Sequence, residues 1–178
     1  MQKTFPLVIF FLLFLVSNLN AFSLSIPYVQ KEEGGFIFSV EYKKFPLQEV
    51  ILSLKEQKEE VLLILEVTLF ERRFLLPDLS IKKFVYFKKA YYDSEGNFYK
   101  IDTEKTTFTF NSAEDTALFL VRSESYFFPF SDLLDERHFA LFKATLTYKT
   151  HLNPKLRYTS KLNTYTKNAK TIYKFSEE

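Results

Sequence analysis

Residues 61–73 read Val-Leu-Leu-Ile-Leu-Glu-Val-Thr-Leu-Phe-Glu-Arg-Arg, and this stretch decides the fold. Leu63, Leu65, Val67 and Leu69 fall on one side of an extended chain. Leu62, Ile64, Glu66, Thr68, Phe70 and Arg72 fall on the other. Successive side chains of a strand point to opposite faces, so a period of two with one wholly apolar face identifies a β-strand.

The pattern extends in both directions. Downstream, Pro77-Asp78 makes a corner, residues 81–92 read as a second strand, and Ser94-Glu95-Gly96-Asn97 is a hairpin signal. Phe98 to Asp102 returns beside it, and Thr106 to Phe110 is a further strand. Upstream, Pro46 is placed to open a helix whose apolar face is Leu47, Val50, Ile51 and Leu54. Before it, Phe36, Phe38, Val40 and Tyr42 alternate as a strand, preceded by an extended lead-in over residues 22–33. In the second half, Ser112-Ala113-Glu114-Asp115 is an acidic variant of the capping box and opens a second short helix. Residues 125–136 read as a loop or a short helical turn, and 138–150 as a long strand. The tail 158–175, rich in Lys, Thr and Tyr, reads as one or two strands at a sheet edge. The expected fold is therefore mainly β (α+β): one antiparallel, sandwich-like domain over residues 22–178 with two short helices.

Composition agrees. The chain has 178 residues, 47% of them hydrophobic and 26% charged, which marks a globular chain. Aromatic residues reach 19%, a bias that favours strands. Lys and Arg number 24 against 22 Asp and Glu, so no global field points to nucleic acid. The absence of Cys excludes disulfides, thiolate metal sites and lipidation of an N-terminal cysteine.

Residues 1–21 have the order of a signal peptide. Lys3 is followed by the apolar run Phe5 to Val16 and then by the polar, small stretch Ser17-Asn18-Leu19-Asn20-Ala21. Cleavage after Ala21 is expected, with Ser23 as the alternative site. The alternative is an uncleaved anchor through residues 5–16, a run short for a bilayer span of about 20 residues.

Pro77 and Pro154 stand 77 residues apart. The same offset equates Thr68 with Thr145, Leu69 with Leu146, Leu75 with Leu152 and Leu79 with Leu156. It also carries the apolar face of Leu63, Leu65, Val67 and Leu69 onto Ala140, Phe142, Ala144 and Leu146. A slip of one residue would invert that face. The match predicts two similar β-α-β-β units, 36–94 and 106–175, with chance agreement between two amphipathic strands as the alternative. If the units pair, their concave junction is the first place to look for a ligand.

The succession of these elements resembles a known family. The carrying residues are the strand Val61–Arg73, Leu76-Pro77-Asp78, Ala90-Tyr91-Tyr92-Asp93 before a hairpin, and Leu152-Asn153-Pro154-Lys155-Leu156. Together with the leader they resemble the small exported family called domain of unknown function 4390, found in Gram-negative-type bacteria, over most of residues 34–175. The chain departs from it in having no Trp. The resemblance implies an envelope location, in the periplasm, and brings no activity and no functional residues.

Chemistry-bearing motifs are few. His138 and His151 stand an odd number of residues apart on one strand, hence on opposite faces, so they are not expected to share a metal. Asp132, Asp135, Glu136, Arg137 and His138 form the densest polar cluster, readable as an acid–base group or as a solvated turn. Tyr91, Tyr92 and Asp93 can line a sugar or peptide groove, or cap a strand end. Lys82, Lys83, Lys88 and Lys89, and Lys161, Lys167, Lys170 and Lys174, are interleaved with aromatics. For an exported chain an anionic membrane surface suits such lysines better than nucleic acid, and solvated faces are the plain alternative.

The sequence thus points to a non-catalytic binding or structural module of the envelope, without cofactor or metal. Its expected partner is another envelope protein or the membrane surface, and not nucleic acid. An envelope hydrolase centred on Asp132–His138 and a membrane-surface-associated assembly factor are the alternatives.

Overall fold

The computed structural model describes residues 22–56, 58–131, 134–151 and 162–175. The leader 1–21, Asp132 and the Pro154 corner lie outside these residues. The element order is β1 (Ser23–Glu32), β2 (Gly35–Lys43), α1 (Leu47–Lys55), β3 (Val61–Glu71), β4 (Leu79–Asp93) and β5 (Phe98–Thr103). It continues with β6 (Thr107–Phe110), α2 (Ala113–Val121), β7 (Ser125–Pro129), β8 (His138–His151) and β9 (Leu162–Lys174). The strands form two antiparallel sheets, one in the order β1-β2-β7 and one in the order β6-β5-β4-β3-β8-β9.

β3 is central in the larger sheet, and its alternation sets that sheet's two faces. Val61, Leu63, Leu65, Val67 and Leu69 are buried, as are Ala140, Phe142, Ala144 and Leu146 across the β8 pairing. Part of this face is covered by the smaller sheet. Phe36, Phe38 and Val40 of β2 are fully buried. Phe38 meets Phe142 edge-on at 5.0 Å and Tyr86 at 5.9 Å, while Phe36 stacks on Phe128 at 4.9 Å. Such pairs add to the area term because ring edges and faces carry opposite partial charge. The rest of the face is covered by the helices, through Val50 and Leu54 of α1 and Ala117 and Leu120 of α2. Ser112 caps α2 by accepting from Asp115 N at 3.0 Å, and Glu114 and Asp115 sit at the positive end of the helix dipole. α1 has no side-chain cap; Pro46 stands at its N-cap, one position earlier than its sequence suggests.

The opposite face of the larger sheet stays half-open. At its centre Glu66 is paired with Lys83 and, at 3.6 Å, with Lys143.

Two expectations change and a third is narrowed. Residues 22–33 are not a bare lead-in, because Ser23–Glu32 pair with β2 as a hairpin strand. Residues 125–129 are a strand, not loop, because the free edge of β2 takes them up at Phe36↔Phe128 and Ile37↔Phe127. The described part of the tail is one strand, Leu162–Lys174, at the sheet edge.

The repeat pattern also has a physical counterpart. β3 and β8 are neighbours, and Glu66 pairs with Lys143, the two positions that the offset of 77 equates. A local two-fold through that pair carries β3 onto β8, but the flanking strands do not keep the offset of 77: Leu65 faces Tyr86 of β4, whereas Phe142 faces Thr171 of β9. The correspondence ends there: β2 lies in the smaller sheet, whereas β6, its counterpart before the second helix, lies at the edge of the larger one. Since β3 and β8 are adjacent in one sheet, the expected concave junction between halves is absent there.

Phe38→Ala is expected to cost about 3–5 kcal/mol, since it opens a cavity between the sheets. Ile37→Ala, on the half-exposed face of the same strand, is expected to cost clearly less. Urea unfolding of the two variants checks the difference.

Candidate functional site

β4 is longer than the strand beside it. β5 pairs only with Lys88–Asp93, so the same edge of β4 from Leu79 to Phe87 has no strand partner among the described residues. β7 is likewise the edge of its sheet. Between these two edges lies a cleft of about 380 Å³. Phe84, Tyr86, Phe108, Tyr126 and Phe127 form its apolar walls, Glu104 and Lys105 its rim, and Lys88 and Glu124 its polar lining.

The edges are partly closed by side chains. Tyr86 donates its hydroxyl to the Phe127 carbonyl at 2.7 Å, which bridges the sheets. The Phe87 N–H donates to the Glu104 carboxylate, which stands where a strand would be. Backbone groups of alternate residues point to the same strand edge, so those of Val85 and Lys83 share the edge of Phe87. Pro129 shares the edge of Phe127 on β7, and it has no N–H to offer.

Lys88 is the unusual group. It occupies an inward position between Tyr86 and Ala90, opposite Leu63, and its side chain is only 4% exposed. Its Nζ lies 3.0 Å from Glu124 Oε1 and 3.3 Å from the Phe119 carbonyl, with the Phe119 ring centroid at 5.2 Å. Burial pulls the Lys88 pKa down, and the Glu124 carboxylate opposes that shift. Burial pushes the phenols of Tyr86, Tyr126 and Tyr42 well above their ordinary value. Of these, Tyr86 donates to the Phe127 carbonyl. The cleft is thus bordered by aromatic walls, by the free edge of β4 and by the Lys88–Glu124 ion pair.

The sequence-derived candidates lie elsewhere. Tyr92 donates to Asn97 Oδ1 at 2.6 Å, and Lys58 lies 4.3 Å from its ring centroid. Asp93 accepts from the N–H groups of Glu95 and Gly96 and pairs with Lys100 at 2.6 Å, which holds its carboxyl below the ordinary value. Tyr91 is half-buried beside Lys89. These three residues shape the β4–β5 turn and do not line the cleft. The Asp135–His138 segment is a tight turn. Asp135 accepts from Arg137 N and Nε at 2.9 Å and lies 2.7 Å from His138 Nδ1, and Arg137 also reaches Glu71 at 3.7 Å. His138 is buried against Phe130, and the side chain of His151 lies outside the described residues. Among the described residues no group of three or more His, Asp or Glu is placed to hold a metal.

The lysine patch is not a surface feature as a whole. Lys88 is buried, Lys83 is bound to Glu66 and Lys89 to Glu60 at 2.7 Å. Lys161 lies outside the described residues. Sequence reasoning placed Lys88 in a lysine patch and missed Glu124 and Phe127. The signal for Lys88 was its phase, since Tyr86, Lys88 and Ala90 share the inward side of one strand. No described helix is long and apolar enough to cross a membrane. No protein-family model matches the chain, and comparisons with curated proteins and with solved structures find no match.

Two outcomes follow from these electrostatics. Glu124→Gln leaves the Lys88 charge buried without its counter-ion and is expected to cost about 1–3 kcal/mol. Lys88→Met, of similar length and uncharged, is expected to cost less; chemical denaturation of both variants checks the order. Arg137 holds the Asp135 carboxyl down from 3.8 to about 2. Its contribution to stability is complete above the ordinary carboxyl pKa and is lost as pH falls through about 2. Asp135→Asn is therefore expected to flatten part of the acid decline in Tm below pH 4, as followed by circular dichroism.

Proposed function

We propose that the protein is a non-catalytic binding module of the cell envelope, which holds an extended segment of another envelope protein in the cleft between β4 and β7. The observation that carries this reading is the open edge of β4 over Leu79–Phe87, beside an aromatic-walled cleft with a second strand edge across it. A segment lying along β4 would gain main-chain hydrogen bonds from the edge shared by Lys83, Val85 and Phe87, and side-chain burial from Phe84 and Phe127. The envelope setting rests on the N-terminal pattern of residues 1–21 and on the resemblance to the exported family. The Asp135–His138 turn supports a structural role for that cluster, because both carboxylate oxygens of Asp135 are engaged within the turn and with Arg137.

Proline scanning on β4 tests the reading. Val85→Pro removes an N–H from the free edge and is expected to leave the protein folded while abolishing binding of peptides selected from a displayed library. Phe84→Pro removes an N–H from the β3 ladder and is expected to destabilise by about 3 kcal/mol or more. Selected peptides that bind Val85→Pro as well as wild type would overturn the edge-binding mode. Turnover of a peptide, glycan or phosphoester panel by wild type, lost in Lys88→Met, would replace binding with catalysis.

A further inference from the structure

The described hairpins of this protein differ sharply at their tips. The β1–β2 turn carries Glu33 and Gly34, and the β4–β5 turn carries Ser94-Glu95-Gly96-Asn97. Both are polar, and in both the residue at positive φ is of a type that tolerates it: Gly34 at 79° and Asn97 at 56°. The β3–β4 turn instead reads Arg72-Arg73-Phe74-Leu75-Leu76-Pro77-Asp78. Phe74 is 91% exposed, Leu75 88% and Leu76 63%. Leu75 also takes the positive-φ position, at 60°, where a branched side chain is disfavoured. This tip thus keeps leucine against both solvation and backbone preference.

The charges next to the tip's apolar residues on their N-terminal side are cationic, while Asp78 follows them and the Asp135–Glu136 turn lies alongside, where the Arg72 N–H donates to the Arg137 carbonyl. Arg72 and Arg73 flank the apolar residues, and the Arg72 guanidinium lies over the Phe139 ring at 5.5 Å. Register places exposed Lys82 opposite Leu69, and exposed Lys174 opposite Phe139, at the same end of the larger sheet. Asp78 is the acid of the turn itself. Adjacent Glu71 is met by Arg137 at 3.7 Å. A protruding wedge offers no concavity to a folded partner, whereas apolar side chains beside cations match an interface of acyl chains under anionic headgroups.

We propose that Phe74, Leu75 and Leu76 insert into the interfacial layer of an anionic lipid bilayer, with Arg72 and Arg73 on the headgroup phosphates. The proposal is independent of what occupies the cleft, which is lined by none of these five residues. It also moves the membrane contact expected of the interleaved lysines to the β3–β4 tip.

The chain contains no Trp, so one introduced at the tip reports alone. In the full chain, Phe74→Trp emission is expected to shift to the blue on adding phosphatidylglycerol-containing vesicles, and to shift less with phosphatidylcholine alone. Leu118→Trp, at an exposed position on α2, is expected not to move. Adding Leu75→Ser and Leu76→Ser to Phe74→Trp is expected to weaken the vesicle-dependent shift at least roughly tenfold in apparent affinity, and adding Arg72→Gln and Arg73→Gln to do the same. These residues are at a solvated turn, and an unchanged thermal melt confirms that each variant folds. Emission from Phe74→Trp that stays unmoved, even while the chain sediments with vesicles through residues 1–21, would overturn the proposal. So would an equal shift from Leu118→Trp, or a shift from Phe74→Trp indifferent to phosphatidylglycerol.

Discussion

A six-stranded sheet with one apolar face must be covered by something, and here the covering sheet is only three strands wide. That mismatch organises the molecule. β2 can shield the centre of the sheet through Phe36, Phe38 and Val40, while α1 and α2 shield the end that the small sheet does not reach. Where the two covers meet over β4, neither closes the gap, and the cleft is what remains. The chain does not fill this seam with another phenylalanine. It places there the long stem of Lys88, whose methylenes pack as hydrocarbon while Nζ reaches Glu124 and the Phe119 carbonyl. A seam between covers is also where a charge can be kept without full desolvation, because Glu124 retains access to water.

Much of the fold was legible because it depends on local period. The alternation of residues 61–71 specified a strand with one buried face, and the capping pattern at Ser112 specified where α2 begins. What was illegible depends on pairing between distant segments. Residues 125–129 carry Ser-Tyr-Phe-Phe-Pro, too short to show a period, and they become a strand only because β2 has a free edge at Gly35–Ser39. The lead-in before β2 is a strand for the same reason on the other side. Edge strands of this kind are fixed by their neighbours more than by their own sequence.

The candidate site was less legible than the fold, and the reason is the same. Lys88 was grouped with its neighbours by composition, yet the pleat separates them. Lys82 and Lys88 share the core side of β4, Lys83 and Lys89 the outer side, and only Lys88 lies deep enough to be covered. A reading by phase would have separated Lys88 from the patch. Its partner Glu124 lies in the short link between α2 and β7, and no spacing rule connects position 88 with position 124. Conversely, Tyr91, Tyr92, Asp93 and the Asp135–His138 group drew attention because they are dense in sequence. Density of polar residues near turns reflects the need of turning backbone for hydrogen-bond partners, and the bonds to Glu95, Gly96 and Arg137 are of that kind.

The two open edges beside the cleft also bear on strand pairing between copies of the chain. Unpaired strand edges recruit other strands indiscriminately unless something blunts them. On β7 the blunting is partial, since Pro129 has no N–H and the Phe127 carbonyl accepts from Tyr86. On β4 it is reversible. Glu104 is an exposed side chain on a short link, and the Phe87 N–H it occupies can be released by a rotamer change. The two edges are therefore not equivalent. In the proposed binding mode, a segment entering the cleft would use the β4 edge once the Glu104 carboxylate turns back to solvent. The same asymmetry fixes the order of the contact: Glu104 must leave before the backbone of Phe87 can be used, whereas Phe84 and Phe127 are accessible from the start. In that proposed mode, apolar contact with Phe84 and Phe127 would precede main-chain pairing and favour segments that carry an aromatic residue.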